Sequence, residues 1–298
     1  MSTPEATPRL PDVHVNNVLV PLDGSELALQ AMPTARVLAQ RLDADLHTVT
    51  VANGPPHADR ARALSAAALG VSPDDERVSV VNEGDPAEVI ARHAKALGSC
   101  LVCLATHGRG RLSGALVGSV ARSVLHLSDG PVVALGPSAD NPGWSPRPRG
   151  WPEPLSVSRI VACVDGSTAS EQVLPLATGW ARALEMSLTI LTVIDDAPTA
   201  VRAARGQARY GGHAEPATYI EELVERLRSQ LPDVDGEVVR DPIGAAGGIR
   251  AHLDRRPAGL VALTTHARSG LQRVMLGAAA ASIVHASVAP CLVSPVRP

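Results

Sequence analysis

Two glycines and a serine give this 298-residue chain its clearest chemical signal. Gly108 follows His107 at the end of an apolar run, and after nine further residues Gly118-Ser119 opens a stretch with helical character. Glycine lets backbone N–H groups approach an anion closely, and a helix N-terminus adds unsatisfied donors and a favourable dipole. The hydroxyl of Ser119 is a further donor, so the segment has the parts of a phosphate cradle; a serine here also caps a helix with nothing bound. Between the glycines, Arg109, Gly110 and Arg111 offer two guanidinium groups that suit either a phosphate or a solvated loop. Asp23 ends a separate apolar run. Asp23 with His107 is the one acid/base candidate, but no acid or nucleophile stands at a recognisable spacing from the histidine, which reads as a loop-shaping hydrogen bonder. No catalytic residue and no metal ligand set is assigned.

These pieces occur twice. VLVPLDGS, ending at Ser25, matches IVACVDGS, ending at Ser167, and the aspartates Asp23 and Asp165 lie 142 residues apart. LVCLATHGRGRLSGALVGS, ending at Ser119, matches LVALTTHARSGLQRVMLGA, ending at Ala278, and the histidines His107 and His266 lie 159 apart. Two long matches in one order mean a tandem duplication, so each candidate residue has a twin. The second copy keeps Asp165 and Val193 for Asp23 and Val51, and Gly277 for Gly118, but it has Thr264, Ala267 and Ala278 where the first has Ala105, Gly108 and Ser119. One lost hydrogen bond to a charged group is worth about 1.5–3 kcal/mol, and poorer backbone approach adds to it. A micromolar anion site would weaken about a hundredfold or more. The second site is therefore expected to be weak or empty, unless Gly270 and a nearby Arg-rich segment compensate.

The elements that must hold these residues alternate between β-branched runs and Ala/Leu-rich helical stretches, the pattern of a parallel sheet with crossover helices. In the first copy, strands fall near 15–22, 45–52, 77–82, 100–105 and 131–135, with helices near 25–42, 57–69, 86–97 and 119–128. In the second, strands fall near 159–164, 187–194, 236–240, 259–264 and 290–294. The fold class is α/β: two Rossmann-like domains, each an open five-stranded parallel sheet with four helices. Ligands of such sheets bind beyond the carboxyl ends of the strands, where Asp23 and the loop after His107 would meet. Residues 1–14 read as a disordered tail, 15–136 and 158–298 as the two domains, and 137–157 as a linker with six prolines plus Trp144 and Trp151. Pro33 and Pro175 predict a kink or late start in both first helices. The two offsets differ because the second copy carries a longer crossover at 195–216, expected to lie near the ligand edge.

Composition narrows the function. Hydrophobic residues make up 45% of the chain and charged residues 19%, with no run long enough for a membrane span. The N-terminus lacks the basic start and apolar stretch of a signal peptide, so a cytoplasmic setting is expected. Net charge is −3, and the 27 basic residues, a single lysine (Lys95) among them, form no block, which argues against nucleic acid. There is no Phe, so the cores must be built from Val, Leu, Ile and Ala. Cys100 and Cys103 lie three apart on a strand and so point to opposite faces, which suits inert core thiols and not a metal or redox pair.

The full set resembles the universal stress protein family over nearly the whole chain, in tandem form. That family's nucleotide-binding motif runs Gly, two residues, Gly, nine residues, Gly and Ser or Thr; here it reads Ala105-Thr106-His107-Gly108, nine residues, Gly118-Ser119, with Ala105 the departure. If the position of Ala105 needs positive φ, alanine costs about 1–2 kcal/mol, and if it still lies in the strand it costs little; the latter is expected. PLDGSE from Pro21, the strand ending Thr50-Val51, and EGDPAEVI from Glu83 resemble the family too. The resemblance implies an ATP-binding regulator of a stress response, with Asp23 on the ribose side and Pro21 and the backbone around Val51 at the base. Gly108, Arg109, Gly110, Arg111, Gly118, Ser119 and the amide of Val120 would take the phosphates. Whether Mg²⁺ accompanies the nucleotide stays open. The alternatives are a nucleotide-free interaction module and a weak ATP hydrolase; the Walker lysine, the SGGxDS loop and the HIGH-like pair of related enzyme classes are missing from the sequence. It also implies pairing of the two domains through the edge near each fifth strand, with a further homodimer left open.

Overall fold

β-Branched and leucine-rich runs form the strands, and most of them end near a glycine, an aspartate or a serine that turns the chain. In the first half these are β1 (Asn17–Pro21), β2 (Asp45–Val51), β3 (Val78–Val81), β4 (Cys100–Ala105) and β5 (Val132–Leu135), joined through α1 (Glu26–Leu29), α2 (Ala31–Leu42), α3 (Pro55–Leu69), α4 (Pro86–Leu97) and α5 (Ser119–Leu127). The second half repeats them as β6 (Arg159–Cys163), α6 (Thr168–Glu171), α7 (Val173–Ala183), β7 (Ser187–Asp195), α8 (Pro216–Arg228), β8 (Val234–Asp241), α9 (Ala245–Arg255), β9 (Leu260–Thr264), α10 (Ala278–Ala286) and β12 (Cys291–Ser294). A two-stranded antiparallel pair, β10 (His266–Ala267) with β11 (Val274–Met275), follows β9 and was not expected from the sequence. The structure, a computed structural model, describes residues 13–52, 54–107, 117–139, 158–195, 215–242, 244–267, 274–275 and 277–294. The expected tail up to residue 12, most of the linker with both of its tryptophans, and most of the 195–216 crossover lie outside the described residues.

Each half forms the expected five-stranded parallel sheet, in the orders β3-β2-β1-β4-β5 and β8-β7-β6-β9-β12. The two sheets are not separate. β5 and β12 pair antiparallel and join them into one ten-stranded sheet. All four residues of β5, and Cys291, Leu292 and Val293 of β12, are buried, so an unpaired edge here would strand both apolar side chains and ladder hydrogen bonds. Val133 faces Leu292 in this ladder. These two positions are 159 residues apart and are twins under the duplication, so a pseudo-twofold axis passes between them.

Side chains alternate between the faces of the sheet. Val18, Val20, Leu101 and Cys103 face α2, while Leu19, Val102 and Leu104 face α4 and α5. Phenylalanine is dispensed with because Leu, Ile and Val fill both layers; the fully buried Trp180 of α7 occupies the twin position of Leu38 in α2. The prolines act as expected. Pro33 has no N–H for the Leu29 carbonyl and its ring crowds that oxygen, so the first helix breaks at Gln30, whose N–H turns back to Leu27 at 3.2 Å. Pro175 produces the same break at Gln172. Asp85 caps α4 by accepting from the amides of Ala87 at 2.9 Å and Glu88 at 3.1 Å, with Pro86 in the first turn.

Cys100 and Cys103 do lie on opposite layers of β4, and burial pushes the Cys100 thiol up to about 12 and Cys103 upward as well. Burial raises the thiols of Cys163 and Cys291 too, the latter to about 12. A thiol kept from ionising is a poor nucleophile, so the native protein should react slowly with Ellman's reagent at pH 8 and release its four equivalents only on unfolding. A methyl group on Gly136, just after β5, would overlap the Val284 carbonyl oxygen of α10. Gly136→Ala should therefore destabilise the join between the halves by about 1–3 kcal/mol, measured by chemical denaturation.

Candidate functional site

Chain connections leave β1 toward β2 on one side and reach β4 on the other, so the sheet has its switch point between β1 and β4. A cavity of about 510 Å³ opens there, beyond the carboxyl ends of the strands. Its floor is apolar, from Val49, Val51, Ile90 and Leu104, and its polar groups gather at Asp23, the end of β4 and the start of α5. Pro21, Asp23, Val51, Ala105, His107, Gly118, Ser119 and Val120 all line it. The remaining residues singled out in the sequence, Gly108, Arg109, Gly110 and Arg111, lie outside the described residues.

The aspartate end is a local turn. Asp23 Oδ1 accepts from the Ser25 amide at 2.9 Å and its hydroxyl at 2.5 Å, and the Ser25 hydroxyl in turn accepts from Ala28 and caps α1. Gly24 between them has φ 78°, a left-handed conformation that costs glycine nothing. These local bonds point the DGS turn at the crevice.

The opposite end depends on Thr106. Its amide donates to the Leu135 carbonyl at 2.8 Å and its hydroxyl to the same oxygen at 3.1 Å, which ties the end of β4 to the end of β5. Because that hydroxyl proton is used, His107 Nδ1, 3.0 Å away, is assigned as the protonated nitrogen donating to Thr106 Oγ1. The Thr106 carbonyl accepts from the Gly118 amide at 2.8 Å. A Cβ on Gly118 would stand 2.8 Å from that carbonyl oxygen, so glycine is required by space; its own φ of −61° would suit any residue. Ala105 is the last residue of β4 and is not among the residues with positive φ, so alanine costs nothing there.

Gly118 is the N-cap of α5, and Ser119 is its first helical residue. A glycine cap has no side chain to satisfy the first amides of the helix, which leaves them to neighbouring groups or a ligand. Ser119 and Val120 are exposed at the cavity. Arg122, which sequence reasoning missed, also lines the cavity, with its guanidinium donating to the Val117 carbonyl at 3.0 Å. Its place three residues after Ser119, on the same helical face, was the available signal.

In the second half Asp165 makes the same turn, accepting from the Ser167 amide at 3.0 Å and its hydroxyl at 2.6 Å. Val193 lies near the end of β7 against α9, where a Cβ on Gly248 would come within 2.6 Å of its Cγ1. Gly277 caps α10, which begins Ala278-Ala279-Ala280-Ala281, so the twins of Ser119 and Arg122 are both alanine. Where Asp85 caps α4, the second half has Gly244, and the Asp241 carboxylate accepts its amide at 2.9 Å.

A doubly wound sheet with a glycine-capped helix N-terminus at its switch point defines the class as an α/β protein with a small-molecule crevice. The universal stress protein family matches at residues 14–135 and again at 156–295, and the chain belongs to that family. A universal stress protein from Archaeoglobus fulgidus is similar over 95% of this chain and 99% of its own, at 16% identity and a TM-score of 0.64. A protein of unknown function from Pseudomonas aeruginosa is similar over 95% of this chain and 93% of its own, at 16% identity and a TM-score of 0.59. At these identities the likenesses bear on the fold. No curated protein matches. Among the described residues, no helix is long and apolar enough to cross a membrane.

The close approach of Gly118 to Thr106 yields a test. Gly118→Ala should push α5 off the end of β4 and cost about 1–3 kcal/mol in a urea melt.

Proposed function

We propose that the protein binds ATP in the cavity of its first half and acts as a cytoplasmic, nucleotide-dependent regulator in a stress response, with the site of the second half degenerate. The observation that carries this reading is the cavity itself: an apolar slot of about 510 Å³ that runs from an aspartate turn to a glycine-capped helix N-terminus. Its size falls in the range of small-molecule sites, and its two ends differ as the two ends of a nucleotide differ. In this reading Asp23 faces the ribose, and Pro21 and the backbone at Val51 meet the base. Gly118, Ser119 and the Val120 amide take the phosphates, with Gly108, Arg109, Gly110, Arg111 and the loop-shaping His107 beside them. Arg122 adds a fixed positive charge on the same wall. Among the described residues no cluster of three or more His, Cys, Asp or Glu is placed to hold a metal ion; Mg²⁺ would enter with the phosphates. Binding, and no dedicated turnover, is the proposed activity.

Asymmetry supports the degenerate second site. The replacements at Ala278 and Ala281 remove a hydroxyl and a guanidinium from the helix end that would receive phosphate.

Nucleotide released by heat from the purified chain should amount to about one ATP per chain. Arg122→Ala should weaken ATP about threefold to tenfold, an exposed charge contact being worth less than a buried one, while adenosine binding stays unchanged. Absence of released nucleotide together with no heat on titration with Mg-ATP would sink the reading, and two ATP per chain would restore the second site.

A further inference from the structure

We propose that the chain carries a second small-molecule site, at the opposite end of the first half's strands from the crevice, which takes an uncharged, largely apolar molecule with a hydrogen-bond-accepting oxygen, such as an aryl ketone. This site goes beyond the nucleotide reading and does not depend on it. A cavity of about 400 Å³ opens around the starts of β4 and β5, where Cys100 and Pro131 stand. That volume lies in the range of small-molecule sites. Both halves build it: Val15, Ala91 and Val102 come from the first, and Leu176 and Trp180 come from α7 of the second.

Two residues of this wall hold polar atoms that no group of the protein matches. Trp180 is fully buried, and its Nε1–H has no hydrogen-bond partner. The Ser128 hydroxyl, just past the end of α5, is buried and also lacks a partner. An indole N–H can only donate, and a serine hydroxyl donates as readily as it accepts. Buried donors without acceptors are rare in folded chains, and two of them on one cavity call for an acceptor from outside the chain. The rim adds selection by charge. Lys95 and Asp129, both exposed, bring opposite charges within 3.9 Å of each other. Together they offer no net charge to hold an ion, and the apolar wall behind them disfavours one.

The duplication sets both donors apart from their twins. Trp180 stands where the first copy has Leu38, which brings no donor. Ser128 has Ser287 as its twin, whose hydroxyl donates to the Ala289 carbonyl at 2.7 Å and accepts from the Ala289 amide at 3.1 Å. In the first copy Gly130 takes the place of Ala289, and the chain there runs so close to β4 that an added Cβ would stand 3.0 Å from the Cys100 carbonyl oxygen. The same serine is thus used by its own turn in one copy and left to the cavity in the other. Backbone bonds hold the wall in place with nothing bound. The Ser99 carbonyl accepts from the amides of Asn16 at 2.9 Å and Asn17 at 3.3 Å, which ties the chain entering β1 to the chain entering β4.

The test uses the full chain and three probes of similar size: acetophenone, ethylbenzene, which lacks the oxygen, and benzoate, which carries a charge. Affinities are read from NMR titrations of the amide and indole N–H resonances, that of Trp180 being assigned by its loss in Trp180→Phe, with Tm recorded for each variant. Acetophenone should shift the Trp180 indole resonance and bind about threefold to tenfold more tightly than ethylbenzene, with benzoate weaker than the ketone. The preference for ketone over hydrocarbon should shrink about threefold in Trp180→Phe and in Ser128→Ala. Saturating Mg-ATP should leave acetophenone binding unchanged. An indole resonance that acetophenone does not move, a preference that survives in both variants, or benzoate bound more tightly than the ketone overturns the proposal. So does displacement of acetophenone by Mg-ATP, which would assign the probe to the crevice. Should Trp180→Phe fail to fold, Ser128→Ala carries the comparison, and the Trp180 resonance is the one that remains in Trp144→Phe/Trp151→Phe.

Discussion

The antiparallel pairing of β5 with β12 is the constraint on which the rest of the molecule depends. Each half alone would be an open sheet with an apolar fifth strand at its edge, a poor end for a soluble domain. Pairing the two edges satisfies both at once and leaves only β3 and β8 as margins. It also fixes a pseudo-twofold axis between Val133 and Leu292. Once that register is set, the approach of Gly136 to Val284 and of His107 to His285 follows without further choice.

Around that axis the halves share a scaffold and differ in chemistry. The DGS turn is the same in both because it is held by its own hydrogen bonds, Asp23 to Ser25 and Asp165 to Ser167. Thr106 and Thr265 likewise both use their amides to reach the neighbouring fifth strand, at 2.8 and 2.9 Å. The groups that differ, Ser119 and Arg122 against Ala278 and Ala281, sit in the first turn of the helix, where Arg122 also donates to the Val117 carbonyl. The local turns and the ties to the fifth strands recur in both halves, whereas the side chains of the helix's first turn do not.

Much of this was legible in the sequence, for identifiable reasons. The strands could be placed because β-branched runs are bounded by turn residues, and β4 at Cys100–Ala105 was read to the residue. The helix breaks before Pro33 and Pro175 follow from a missing N–H. The opposite faces of Cys100 and Cys103 follow from the two-residue period of a strand. What was not legible has an equally physical cause. An apolar strand reads the same whether its edge is open or paired, so the pairing of β5 with β12 was expected from the family resemblance and not from either strand's own residues. The steric demand at Gly118 is set by the Thr106 carbonyl, twelve residues away in sequence and in contact only after β4 and α5 have packed. His285 stands further still from His107, and no periodicity links them. Arg122 was within reach of helical spacing from Ser119, but an arginine on a helix reads first as a solvated face.

Covalent joining changes what such an axis allows. In a dimer of separate chains, any substitution near the twofold appears on both sides, and a weakened interface falls apart on dilution. A linker instead holds the partners at an effective concentration in the millimolar range whatever the amount of protein, so docking does not depend on abundance. Each side of the axis can then drift alone. That freedom is visible in the sequence where Leu135-Gly136 on one side answers Ser294-Pro295 on the other: the glycine that stands so close to Val284 has a proline as its twin.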